Sequence, residues 1–564
     1  MNASTGRKVM YSFLTASFLF ITSVMGALGA DELTASGAAS DIVELRRQLS
    51  EQQRQLAEQQ KQIQELRLLI QEQGRLIGAA TSAAAPASAG TGVLGVIAGL
   101  TPMIPAAAPA AAPAAALPQA QKKGEGPEVS PLQFRIGSAY ITPLGFMDFT
   151  SVWRSTAPGS GIGTNFGNIP YGNTSQGRLT ELRLSAQNSR IGSRVDAMVK
   201  GAKVTAYWES DFLGFVPSNA AVSSNSDTFR MRVYWVDVRK GKFEFLGGQS
   251  WSMITPGREG ISPLPADLFY TQNIDVNYQA GLTWSRDPQF RFVYHPSESV
   301  AMGISLEAAE QYIGGSAGGS QIIIHSALTA AYANQLNNGL TQLTVPNLHP
   351  DIVAKIAFDP KLPNGHALHF EIGGTARTFK VYNPLNNLQF STTGGGGQVN
   401  LNYELFKGFR AVTNNYWSAG GGRWIFGQAP DLIVRSDGSL SAVHSGSTVS
   451  GFEFTRKNTL LYGYYGGVYV GRNTTTDSAD GRLVGYGSPD SPGGQNRTIQ
   501  QGTFGFAQTF WKDATFGALS LMGQYSYLVR NAWAVASVQP KNAKENILFL
   551  NLRYALPGSA PALK

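Results

Sequence analysis

There is no cysteine among the 564 residues, so neither a disulfide framework nor a thiolate metal site is open to this chain. Histidine is scarce, six residues scattered as His295, His325, His349, His366, His369 and His444. The one close pair, His366 and His369, would point its rings to opposite faces of a strand, which disfavours a metal site. Charged residues make up only 15% of the chain. Beyond the first thirty residues no apolar run reaches the ~20 residues that a spanning helix needs. The nearest, TGVLGVIAGLTPMIP at 91–105, is broken by glycine and proline. A phosphate-cradling glycine loop ahead of a helix is missing too, because Gly394 to Gly397 reads as a flexible loop between strands. No serine and histidine stand at a suggestive spacing. The chain is therefore not read as an enzyme, and no metal or cofactor is implied.

What is present changes character four times. Arg7 and Lys8 precede an apolar run from Met10 to Val24, and Gly26-Ala27-Leu28-Gly29-Ala30 supplies small residues for cleavage. Residues 1–30 thus read as a secretory signal peptide, followed by a short linker at 31–40. From 41 to 77, Ile42, Leu49, Leu56, Ile63, Ile70 and Ile77 recur every seven residues, with Leu45, Gln52, Gln59, Leu66 and Gln73 three places on from the first five. That narrow seam predicts a self-associating coiled coil. Residues 78–131, centred on APAAAPAAALP, cannot bury enough apolar surface to fold and read as an extended spacer.

Residues 132–564 read as strands and turns. Successive side chains of a strand point to opposite faces. Between Arg178 and Ser252 that alternation recurs in four runs. Leu182, Leu184 and Ala186 alternate with Arg183, Ser185 and Gln187; Ile191, Val195, Ala197 and Val199 with Arg190, Arg194, Asp196 and Lys200. Val204, Ala206 and Trp208 alternate with Lys203, Thr205, Tyr207, Glu209 and Asp211; Phe229, Met231 and Val233 with Arg230, Arg232 and Tyr234. Each run is a ribbon with one apolar and one charged side.

A soluble sandwich, a β-helix and a transmembrane barrel can all use such ribbons. The size of the β region, strands of about ten residues, and long loops near 156–176, 254–280, 312–345, 418–445 and 471–496 against tight turns such as Arg239-Lys240-Gly241-Lys242 favour the barrel. So do the aromatics near expected strand ends, Trp153, Trp208, Trp235, Tyr416, Trp417, Trp424, Phe510, Trp511 and Tyr554. The fold class is an all-β transmembrane barrel, sixteen strands favoured over eighteen, preceded by an N-terminal coiled-coil helix. In the last expected strand Leu548, Leu550, Leu552 and Tyr554 alternate with Phe549, Asn551 and Arg553, and ten residues follow.

Together these features resemble the DcaP-like trimeric porins of Gram-negative bacteria. Within the barrel the likeness is carried by Gly145-Phe146-Met147-Asp148-Phe149, Asn188-Ser189-Arg190-Ile191-Gly192, Glu209-Ser210-Asp211-Phe212, Phe229-Arg230-Met231-Arg232, Gly248-Gln249-Ser250-Trp251-Ser252 and Pro288-Gln289-Phe290-Arg291. The resemblance implies a homotrimer of sixteen-stranded barrels in outer-membrane lipid, passing small anionic solutes such as dicarboxylates. The coiled coil would lie in the periplasm, within reach of peptidoglycan. Phosphate-selective porins share the architecture, so a phosphate- or sugar-selective pore is the alternative, with a barrel-anchored adhesin or tether behind it. Export argues against a nucleic-acid partner, although the formal net charge is +8.

Arginine suits carboxylate and phosphate because its planar fork can bind two oxygens at once. Arg183, Arg190, Arg194, Arg230 and Arg232 share the charged parity and form the expected basic ladder of the lumen. Asp148, Glu209 and Asp211 are expected to hold some of these arginines in place. The loop at 254–280, with Arg258, Glu259, Asp267 and Asp275, is the candidate for an inward-folded constriction, and Arg286 and Arg291 are the next lumen candidates. The competing reading of the same residues is a set of structural salt bridges propping the wall.

Overall fold

The computed structural model describes residues 131–216, 227–264, 268–271, 278–315, 321–338, 346–347 and 349–557, all within a compact unit spanning Ala98–Lys564. The signal peptide, the linker, the heptad segment 41–77 and the spacer as far as residue 130 lie outside the described residues.

The sheet opens with β1 (Phe134–Ile136) and β2 (Ala139–Arg154). It continues through β3 (Glu181–Ser185), β4 (Arg190–Val199), β5 (Ala202–Asp211), β6 (Arg230–Lys240), β7 (Phe243–Trp251), β8 (Arg286–Ser297) and β9 (Val300–Glu307). Then come β10 (Asp351–Phe358), β11 (Leu368–Asn383), β12 (Leu388–Phe406) and β13 (Phe409–Ala419). A separate hairpin, β14 (Leu432–Val434) with β15 (Leu440–Ala442), precedes β16 (His444–Arg456) and β17 (Thr459–Val470). A second hairpin, β18 (Asn473–Thr476) with β19 (Leu483–Tyr486), precedes β20 (Asn496–Asp513), β21 (Gly517–Ala532) and β22 (Ala543–Ala555).

β22 returns to pair with β2, from Phe146↔Ala555 to Arg154↔Ile547, and closes the sheet on itself. β3 and β4 lie along the same edge of β2, against Thr150–Arg154 and Ala139–Phe146, so they are two halves of one wall strand. The sheet has eighteen strands; without the flanking β1, and with β3 and β4 counted once, the wall has sixteen, all antiparallel. Closure leaves no open edge, the condition a sheet must meet in lipid.

Alternation decides which face is which. On β2 the outward Met147 and Phe149 are 66% and 51% exposed, while the inward Asp148 and Arg154 are 3% and 0%. The same inversion holds on β22, where Leu548, Leu550 and Leu552 are exposed and Asn551 and Arg553 are buried. Exposed leucine with buried arginine is the reverse of a water-soluble sheet and the pattern of a barrel jacketed by lipid. Tight turns join the strands at one end. Lys200 and Gly201, with φ of 48° and 77°, take the left-handed conformation that a two-residue hairpin requires. Longer segments, such as 155–180, 252–285, 308–350 and 471–495, join them at the other.

The wall departs from the simple alternation in two places. Gly394 to Gly397 is not a loop; it lies in the middle of β12, paired with Gly374 to Arg377 of β11. A Cβ at Gly396 would meet Tyr416 and Ser418 of β13, so glycine there admits a close neighbour and does not make a turn. On β6, Glu209 pairs with Val233 and Ser210 with Met231, leaving Arg232 as an extra residue. This bulge turns Arg232 and Val233, both 0% exposed, to the same inner side and sends Tyr234 outward. Trp235 consequently stacks on Tyr207 inside the barrel, with ring centroids 5.5 Å apart, and takes no part in an aromatic girdle. Tyr416 and Trp424 are buried as well, whereas Trp417 and Trp511 are exposed.

Long segments fold into the barrel and share one apolar core with its inner wall. Phe166, Tyr278, Phe426 and Trp284 form a chain of rings with centroids 4.9, 3.7 and 5.3 Å apart. Leu432, Ile433 and Val434 of β14 pack into the same core. Inward wall residues such as Gln289, Arg291 and Asn400 are buried.

Candidate functional site

The inner face of β2 to β8 carries an arginine-rich ion network. Arg232 donates from Nε to Glu209 Oε1 at 2.7 Å and from Nη1 to Asp211 Oδ2 at 2.5 Å. Asp211 also accepts two hydrogen bonds from Arg230, at 2.9 and 2.8 Å. Arg190 lies 3.5 Å from Glu209. These contacts follow from pairing: Arg190 faces Asp211 across β4 and β5, and Asp211 faces Arg230 across β5 and β6. Arg194 pairs with Asp196 two residues along its own strand. Arg183 is half-buried and donates to Gln187.

Asp148 belongs to the opposite side of the seam. It accepts from Arg553 Nε at 2.7 Å, from Thr150 and from Asn551, and so is held by β22 and not by the ladder arginines. Arg291 is inward and donates to Gln289 and to the carbonyl of Trp251. Arg286 stands at the first position of β8 on the opposite parity, its guanidinium over Trp284 at 5.4 Å. Its electrostatic neighbours are Arg232, Arg230, Asp211 and Arg190, so the two arginines expected together belong to different surroundings.

Described residues between Ser252 and Ser285 dock on distant strands of the inner wall. Met253 N–H donates to Glu307 of β9, and Gly257 N–H to both oxygens of Glu371 on β11. Gly260 N–H reaches Asp359, Tyr270 N–H the hydroxyl of Tyr464 on β17, and Ala280 N–H Gln501 on β20. Arg258 forks onto Glu453 of β16 at 2.8 and 2.6 Å. Burial opposes its charge, but the Glu453 carboxylate outweighs burial and holds the guanidinium above its ordinary range. Glu259 is exposed, while Asp267 and Asp275 lie outside the described residues.

A second network has no counterpart in the sequence reading. Arg423 bonds Asp287 at 3.1 Å and Asp351 at 3.0 Å, while Arg377 bonds Asp351 at 3.0 Å and Asp431 at 2.8 Å. Burial raises the Asp431 carboxyl, with Arg377 pulling the other way. Lys355, Glu371, His369 and Asp359 form a further chain. Strand parity could have found Arg377, Glu371 and Arg553. Arg423 sits in a loop that carries no periodic signal.

No protein-family model matches this sequence, and no curated protein matches it. Among solved structures, the outer membrane channel DcaP of Acinetobacter baumannii is similar over 74% of this chain and 97% of its own, at 17% identity and a TM-score of 0.52. An anion-selective porin from Comamonas acidovorans is similar over 74% of this chain and 99% of its own, at 12% identity and a TM-score of 0.41. The DcaP likeness shows a shared fold, and the described residues have that channel's barrel architecture.

Proposed function

We propose that this protein is an outer-membrane channel through which small anionic solutes, dicarboxylates or similar organic anions, diffuse passively. The observation that carries the reading is the arginine-rich network inside a closed barrel with an apolar jacket. Pores select by width and by the charges that replace hydration, and guanidinium groups replace it for anions. The buried aromatic rings weigh against a sugar pore, because Phe166, Tyr278, Phe426 and Trp284 pack against one another and are almost fully buried, leaving no open face for a sugar ring. The segment 252–285 serves as the constriction. The working unit is a homotrimer, gathered by the 41–77 coiled coil in the periplasm.

Solute uptake into proteoliposomes tests this. Succinate is expected to enter faster than a neutral sugar or a cationic amine of similar size. Faster entry of the cation would overturn the reading.

A further inference from the structure

The tight-turn end of the barrel carries a charge pattern that conduction does not use. Among the described residues, five hairpins of the wall turn on two residues, closed by the pairs Val199↔Ala202, Lys240↔Phe243, Ser297↔Val300, Phe406↔Phe409 and Arg456↔Thr459. Four of these loops, Lys200-Gly201, Gly241-Lys242, Lys407-Gly408 and Lys457-Asn458, contain one lysine each, and all four lysines are exposed. In the fifth, Glu298-Ser299, the carboxylate is bridged at 2.7 Å by Lys361 from the next turn at the same end. Lys200 and Lys457 have φ of 48° and 53°, a left-handed conformation that glycine or asparagine adopts at lower cost. At these two positions the charge is kept against the preference of the backbone.

Depth identifies the partner. Phe243 follows Lys242, and Phe406 and Phe409 bracket Lys407-Gly408, their rings stacked with centroids 4.6 Å apart. Phe243 and Phe406 are 55% and 54% exposed on the outer jacket. Exposed rings at the ends of barrel strands sit at the membrane–water interface. Lysines beside them therefore stand among lipid headgroups, where a compact ammonium on a flexible stem suits a phosphodiester. Short barrel turns face the periplasm. We infer that the four lysine-bearing loops form a rim that binds the headgroups of acidic phospholipids, of the phosphatidylglycerol type, in the periplasmic leaflet. Peptidoglycan lies beyond the headgroups and is the less fitting partner for charges held at girdle depth. The opposite end differs, because there Arg482 pairs with Asp480 inside one loop. The rim acts on lipid whichever ion the channel conducts.

The test is native mass spectrometry of the full-length protein in detergent, given equal amounts of phosphatidylglycerol and phosphatidylcholine. The wild type is expected to retain phosphatidylglycerol at least about fivefold over phosphatidylcholine, and to lose the preference when the lipids are added at high salt. Lys200→Gln, Lys242→Gln, Lys407→Gln and Lys457→Gln combined are expected to abolish it. Lys200→Arg, Lys242→Arg, Lys407→Arg and Lys457→Arg combined keep it, and so do Lys541→Gln with Lys544→Gln at the opposite end. If the glutamine variant does not fold, the salt dependence of the wild type decides. Equal retention of the two lipids by the wild type, or a preference indifferent to salt, overturns the rim. So does an undiminished preference in the folded glutamine variant, or an equal loss in the Lys541 and Lys544 variant. A glutamine variant that stops sedimenting with purified peptidoglycan while keeping its lipid preference assigns the lysines to the polymer and overturns the lipid assignment.

Discussion

At the scale of single residues, the arginines of the inner wall fall into two classes that the sequence does not separate. Arg232 is fully buried between Glu209 and Asp211, so Arg232→Ala would take a shared partner from both carboxylates and leave Asp211 to Arg230 and Glu209 to Arg190. Breaking a buried pair in this way costs about 3–5 kcal/mol, and the variant is expected to lose heat resistance in a gel-mobility assay. Among the described residues Arg183 makes no direct ion pair with a carboxylate, and it is half-buried. Arg183→Ala is expected to fold normally and to lower anion preference; a fold defect as large as that of Arg232→Ala would contradict the distinction. Strand parity made Arg183, Arg190, Arg194 and Arg232 legible as inward. It failed at Val233, Tyr234 and Trp235, because the extra residue at Arg232 shifts the pattern by one and no composition signal marks that bulge.

At the scale of elements, the described residues between Ser252 and Ser285 are docked on the inner wall, where the proposed constriction would lie. Its length and position suggested an inward fold, but its docking partners on β9, β11, β16, β17 and β20 are distant in sequence and could not be named beforehand. The fork from Arg258 to Glu453 is the strongest of these ties by geometry, with both carboxylate oxygens engaged. Glu453→Ala is expected to free the segment and give a larger, noisier single-channel conductance. Unchanged conductance and noise would show that the backbone contacts alone hold it. The glycine run of β12 teaches the complementary point. Consecutive glycines read as a loop, yet they lie where β11, β12 and β13 approach closely, and Gly396→Leu is expected to reduce the yield of folded barrel sharply. Folded yield matching the wild type in an outer-membrane fraction would refute this.

At the scale of the whole molecule, the fold was the most legible feature. Long alternating ribbons, one-sided loops and a strand able to close on β2 leave few architectures besides a barrel. The packing of loops against the inner wall was not legible, because apolar loop residues such as Ile169, Ile425 and Ile433 resemble strand residues until their burial is known. Loop residues packed against the inner wall imply a conductance below that of an open sixteen-stranded pore. On the proposed reading, the heptads at 41–77 gather the trimer. Deleting them is expected to weaken trimers on native gels while single barrels still conduct; trimers of undiminished stability would remove the coiled coil from that role.

The central claim is that inner-wall arginines set the sign of the conducted ion. Its most direct test is the reversal potential of the purified protein in a planar bilayer under a KCl gradient. The account requires a potential of the sign given by chloride permeating faster than potassium, reduced in Arg183→Ala. A potential of the opposite sign in the wild type would contradict it.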